Sequence, residues 1–150
     1  MRNKRENDHR FYTIGYEGKT PQLLLEILKQ RNVSVLVDIR QNPWSRIPGF
    51  SKGALLELLR QNEIEYTHEG ALGTPQLIRE DYRRTGNVKS ALSIYNQHLK
   101  KHLDRLKGLK NVADGRLLCF LCMESDWSIC HRSVVAREFE RISKLRAVHL

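Results

Sequence analysis

Residues 33–46 read VSVLVDIRQNPWSR, and this stretch decides the fold. Val33 to Ile39 is a nearly unbroken apolar run. A strand with one wet face alternates in polarity, whereas a strand covered on both faces does not, so the run predicts a central strand of a parallel sheet. It closes on Asp38 and Arg40. The segment that follows, QNPWSRIPGF, carries two prolines and a glycine and predicts a loop at the strand's carboxyl end.

The same pattern repeats outward in both directions. Upstream, FYTIG predicts a short strand ending at Gly15, and a turn follows at Glu17 and Gly18. Thr20 and Pro21 then start a helix, one as a side-chain cap and the other as a residue whose missing N–H is not needed there. Leu23, Leu24, Ile27 and Leu28 follow at helical spacing, with an end expected near Asn32. Downstream, Ser51 opens a helix carrying Leu55, Leu56, Leu58 and Leu59, and EIEYTH predicts a third strand. Thr74 and Pro75 start a helix that Gly86 ends after Arg84. One long helix is expected from Val88 to Leu106, striped by Ala91, Leu92, Tyr95, Leu99, Leu103 and Leu106. RLLCFLCM predicts a fourth buried strand, His131 to Leu145 a last helix, and AVHL a short final strand.

Strands separated by helices predict an α/β fold: a single three-layer, mostly parallel, doubly wound (Rossmann-like) sheet of about four to five strands with helices on both faces. Ligands of such sheets lie outside the carboxyl ends of the strands.

With 150 residues and no repeat, low-complexity tract or linker, the chain predicts one domain over residues 11–150 after a flexible basic arm over residues 1–10. No apolar run approaches the ~20 residues of a membrane-spanning helix. The opening MRNKRENDHR has no apolar segment behind it, so a cytoplasmic location is expected. Three cysteines, an odd number, argue for free thiols over a disulfide framework. A net charge of +9 points to an anionic small molecule or nucleic acid as partner, or to a solvated positive surface with no polyanion partner. Aromatic residues are not interleaved with the cations, which disfavours a stacking platform for single strands.

Two constellations carry the chemistry. In Val37 to Arg46, Asp38, Arg40, Ser45 and Arg46 emerge where the buried strand meets its loop. Arg40 and Arg46 suit a phosphate or carboxylate, with Asp38 as base or orienter. The competing reading is an Asp38–Arg40 or Asp38–Arg46 structural pair; Trp44 is either a lid that packs on a ligand or an anchor of the loop, the anchor being favoured. In Cys122 to Arg132, a strand end passes through an acidic turn into a helix start. Unpaired N–H groups there favour anions and lower a thiol's pKa, so Cys130 is a candidate nucleophile, His131 its partner, Arg132 an anion contact and Glu124 a base. The competing reading is a small buried cysteine with a Glu124–Arg132 ion pair.

A metal is the rival chemistry, with Cys122, Cys130 and His131 as ligands. Cys119 and Cys122, three apart on one strand, face opposite ways, which assigns Cys119 to the core and disfavours a zinc knuckle. His68 is a further candidate for the anion site. His98 and His102, four apart among lysines, predict a solvated basic face.

In order, TIGYEG, VDIRQNPWSR, Tyr66-x-His68 with Leu72-Gly73, and Cys122-x-Glu124 with Cys130-His131-Arg132 resemble the family called domain of unknown function 488, over residues 11–149. The resemblance implies a compact α/β domain of bacteria and archaea. Its hallmark positions would be Gly15, Asp38, Arg40, Pro43, Ser45, Tyr66, His68, Leu72, Gly73, Cys122, Glu124, Cys130, His131 and Arg132. Thr74 stands where a second glycine often occurs. The family brings no activity or cofactor with it. The expectation is a site for a phosphate-bearing ligand, a nucleotide or nucleic acid, with groups able to act on it. Non-catalytic nucleic-acid binding through the basic surface is the alternative.

Overall fold

The computed structural model describes residues 9–150. Five strands form one sheet, β1 (Arg10–Gly15), β2 (Val35–Asp38), β3 (Glu65–His68), β4 (Leu118–Cys122) and β5 (Arg146–His149), in the order β3-β2-β4-β1-β5. Every pairing is parallel. Residues 1–8 of the expected basic arm lie outside the described residues, and Arg10 already belongs to β1.

Six α-helices connect the strands: α1 (Pro21–Gln30), α2 (Lys52–Arg60), α3 (Gln76–Thr85), α4 (Val88–Lys100), α5 (Leu103–Val112) and α6 (Arg132–Ser143). Thr20 caps α1 by accepting the Leu23 N–H, and Gly86 ends α3 in the left-handed conformation with φ 66°. Both ends follow from their local sequence. Ser51 precedes α2 without a side-chain cap bond.

Alternate strand residues feed two cores. Tyr12, Ile14, Leu36, Cys119 and Leu121 pack with Leu24 and Leu28 of α1 and Leu55 and Leu59 of α2. Phe11, Val35, Val37, Phe120 and Cys122 pack with residues of α4, α5 and α6, among them Tyr95, Leu106, Val135 and Phe139. The sheet is therefore covered on both faces. Cys119 lies in one core and Cys122 in the other, as their spacing requires.

The long helix expected from Val88 to Leu106 is two helices. It breaks at Lys101 and His102, where the His102 N–H bonds to the Leu99 carbonyl and the chain restarts as α5. No proline or glycine marks this point. The break re-aims the chain so that Leu106 and Leu109 reach the same core as Tyr95 and Leu99, a requirement of packing rather than of local propensity.

The strand order places the site. Chain segments leaving β1 and β2 turn into helices on one face, while the segment leaving β4, which lies between them, turns into α6 on the other. Diverging connections open a crevice at the carboxyl ends of these three central strands.

Candidate functional site

Beyond β2, Asp38 is fully buried and holds Arg40 by two side-chain bonds, Nε to Oδ1 at 2.9 Å and Nη2 to Oδ2 at 2.7 Å. Tyr66 of β3 donates its hydroxyl to Asp38 Oδ2 at 2.6 Å. Burial and the Asp38 carboxylate push the Tyr66 phenol well up, so it stays a donor. Nη1 of Arg40 donates to the Phe50 carbonyl at 2.7 Å and the Tyr16 hydroxyl at 3.4 Å, and the guanidinium lies 5.2 Å from the Tyr16 ring centroid. Burial opposes the Arg40 charge, but Asp38 and Tyr16 outweigh that and raise its pKa. Asp38 thus orients Arg40, and Arg40 ties the loop to the sheet while lining the cleft. Ser45 belongs to the same brace, accepting from Tyr16 and from the Ile47 N–H. His68 donates from Nε2 to the Arg40 carbonyl at 2.7 Å and lies outside the cleft wall.

Beyond β4, the backbone of β1 continues along the turn: Tyr16 N–H bonds to the Cys122 carbonyl and Glu17 N–H to the Met123 carbonyl. This approach needs Gly15, because a β-carbon there would lie 1.7 Å from the Glu124 carbonyl oxygen. Gly73 has the same role across the loop after β2, where a β-carbon would meet the Gln41 nitrogen at 2.1 Å. The two glycines let both loops collapse onto the sheet edge.

Cys130, 3% exposed, has its Sγ 3.1 Å from Cys122 Sγ, 3.3 Å from Glu124 Oε2 and 3.4 Å from His131 Nδ1, and accepts the Arg132 N–H at 3.4 Å. Nε2 of His131 lies 3.2 Å from the Ile39 carbonyl, which can only accept, so Nε2 carries a proton and Nδ1 faces the thiol. The lowered thiol pKa expected from the helix start does not arise. The adjoining Cys122 thiol and burial push Cys130 up, and His131 only partly opposes them. Glu124 is held below the usual carboxylate range: burial works against its charge, but the turn backbone, His131 and the two thiols outweigh it. For His131, burial is in turn outweighed by Cys130, Glu124 and the Ile39 carbonyl, and the imidazolium is favoured.

Arg132 is fully buried and forms no part of the cleft wall. Its Nη2 donates to the Glu124 and Ser125 carbonyls, so its tie to Glu124 runs through the backbone and not through the carboxylate. Its Nε and Nη1 have no partner among the described residues. Arg46 is exposed and also stands off the cleft.

A cavity of about 290 Å³ opens above this floor, near the lower end of the range for small-molecule sites. Cys122, Glu124, Cys130 and His131 form its base, and Arg40 and Trp44 one side. The opposite side is α3 and α4, with Ile78, Arg79, Tyr82, Arg83 and Leu92. Trp44 is 61% exposed at the mouth and does not anchor the loop. Arg79, Tyr82 and Arg83 escaped the sequence reading. A signal was present in the pairs Ile78/Tyr82 and Arg79/Arg83, each four residues apart and so each on one face of the helix. Nε of Arg79 is buried without a partner among the described residues, and its Nη2 donates to Gln41 at 3.3 Å. His98 is half-buried, and its Nε2 donates to the Ala71 carbonyl. Among the described residues no helix is long and apolar enough to cross a membrane.

A parallel, doubly covered sheet with a cleft at its switch point defines the class: a three-layer α/β fold with a cavity of small-molecule size at its carboxyl edge. The family model described as Domain of unknown function DUF488 matches residues 20–139, most of the chain, and the protein belongs to that family. No curated protein and no solved structure matches it.

Proposed function

We infer that the cleft binds a phosphate-bearing small molecule of nucleotide type, with Arg79 and Arg83 as the anion contacts and Trp44 and Tyr82 flanking its planar part. The observation that carries this reading is the pair Arg79 and Arg83, one helical turn apart on the cleft wall, with the Arg79 Nε–H left without an acceptor among the described residues. A buried unpaired donor is costly, and an anionic oxygen is the acceptor that best offsets that cost. Arg83 adds a second cation one turn away on the same wall. Arg40, Arg46 and Arg132, first candidates by sequence, are respectively braced, remote and buried.

Titration calorimetry with nucleoside monophosphates tests this. Saturable binding is expected, weakened roughly tenfold or more by Arg79→Ala with Arg83→Ala, since a hydrogen bond to a charged group is worth about 1.5–3 kcal/mol. The affinity should depend weakly on salt, whereas contact with a nucleic-acid backbone would weaken steeply as salt rises. Absence of saturable binding, or binding indifferent to both substitutions, would sink the reading.

A further inference from the structure

We propose that Cys122, Glu124 and Cys130 together bind one transition-metal ion of the zinc class at the base of the cleft, with His131 supporting Cys130 from beside it. Ligand atoms of Cys122, Glu124 and Cys130 all lie within 4.8 Å of one another, and His131 Nδ1 stands 3.4 Å from Cys130 Sγ. Two sulfurs and a carboxylate form a borderline-soft donor set, which selects zinc, cobalt and their neighbours over calcium or magnesium.

Three further features match what such sites need. First, His131 Nε2 donates to the Ile39 carbonyl, which fixes the ring with Nδ1 against Cys130 Sγ, the outer support of a thiolate ligand. Second, the Arg132 N–H points at Cys130 Sγ, an interaction that stabilises a thiolate once the metal has displaced its proton. Third, the ligands are gathered by one short connection, Cys122 closing β4, Glu124 in the turn after it and Cys130 two residues before α6, and the turn is held by the close approach of Gly15 to Glu124. Around a tetrahedral zinc with Zn–S near 2.3 Å, two sulfurs stand roughly 3.8 Å apart. The Cys122 and Cys130 sulfurs are 3.1 Å apart, so a small rotation of either side chain admits the ion. Cys119 takes no part, being buried in the opposite core. A zinc knuckle would need a Cys119–Cys122 pair, and the site assembled by the fold does not use one.

The inference is independent of the phosphate reading, because its test uses metal alone. The reduced, chelator-treated full chain is titrated with cobalt(II) and followed by absorption. The expected result is one ion per chain, with a thiolate-to-cobalt charge-transfer band in the near ultraviolet and tetrahedral ligand-field bands in the visible. Zinc should then displace the cobalt and bleach both. Cys122→Ser and Cys130→Ser should each lower the charge-transfer band by half or more, while Cys119→Ala keeps it. Should either serine variant fail to fold, Glu124→Gln removes a ligand and His131→Gln removes the support of Cys130, both with little change of volume, and each should weaken cobalt binding at least tenfold. No charge-transfer band in the wild-type chain would overturn the proposal, as would an undiminished band in both serine variants, or wild-type affinity in both glutamine variants.

Discussion

The α-carbon of Gly15 faces the carbonyl of Glu124 so closely that a β-carbon on it would stand 1.7 Å from that oxygen. Both partners are backbone, so neither can rotate away. Gly15→Ala should therefore destabilise the fold by about 1–3 kcal/mol or more, the usual cost of overpacking. Gly108, in the middle of α5, is the control, because a β-carbon there would meet nothing within 4 Å. Gly108→Ala should stabilise by about 0.5–1 kcal/mol. Urea unfolding of the two variants reads both signs.

Asp38 and Arg40 are an excluded-water pair with Tyr66 as a third member. Removing one partner strands the other charge in the interior, so Asp38→Ala should cost about 3–5 kcal/mol. Tyr66→Phe takes away a single hydrogen bond to a charged group and should cost about 1.5–3 kcal/mol. Denaturation midpoints that hardly move for Asp38→Ala would refute the structural role given to the pair.

Trp44 sits at the cleft mouth and is largely exposed. Trp44→Ala should change stability by no more than about 0.5 kcal/mol, as for most surface substitutions. A loss of several kcal/mol in the same urea experiment would restore its reading as a loop anchor.

Trp127 stacks on His149 with ring centroids 3.9 Å apart and planes within 5°, and His149 Nδ1 lies 2.6 Å from Thr13 Oγ1. Burial and the Arg132 charge lower the His149 pKa below 6.5, against a smaller opposite pull from Glu140. The fold thus favours the neutral ring. Its contribution to stability is fully present above the unfolded value of 6.5 and is lost as pH falls through the lower folded pKa. In a Trp44→Phe background, where Trp127 is the remaining tryptophan, acidification should quench fluorescence with a midpoint below 6.5. His149→Gln should abolish the step, and a midpoint above 6.5 would contradict the assignment.

How far the sequence reaches is seen by comparing α1 with α4 and α5. Thr20, Pro21 and the leucine spacing announce α1, because cap and periodicity are local. The break between α4 and α5 has no local mark, since it exists only to turn Leu106 and Leu109 toward a core made by distant strands. The buried runs of β2 and β4 likewise announce a sheet covered on both faces, and the odd spacing of Cys119 and Cys122 assigns them to different cores.

The site divides in the same way. Sequence alone determined that Asp38 and Arg40 stand at one strand end and that Cys122, Glu124, Cys130 and His131 flank another, because strand ends and helix starts are legible in one dimension. Only the tertiary structure decided what each is for. The fold of the connection after β4 joined the thiols, Glu124 and His131 into one cluster, and strand order set β4 with that cluster between β1 and β2. It closed Arg40 onto Asp38, buried Arg132 behind the turn, and laid Arg79 and Arg83 across the cleft. A guanidinium's role depends on which acceptor it reaches through space, and that is set by packing between segments far apart in the chain.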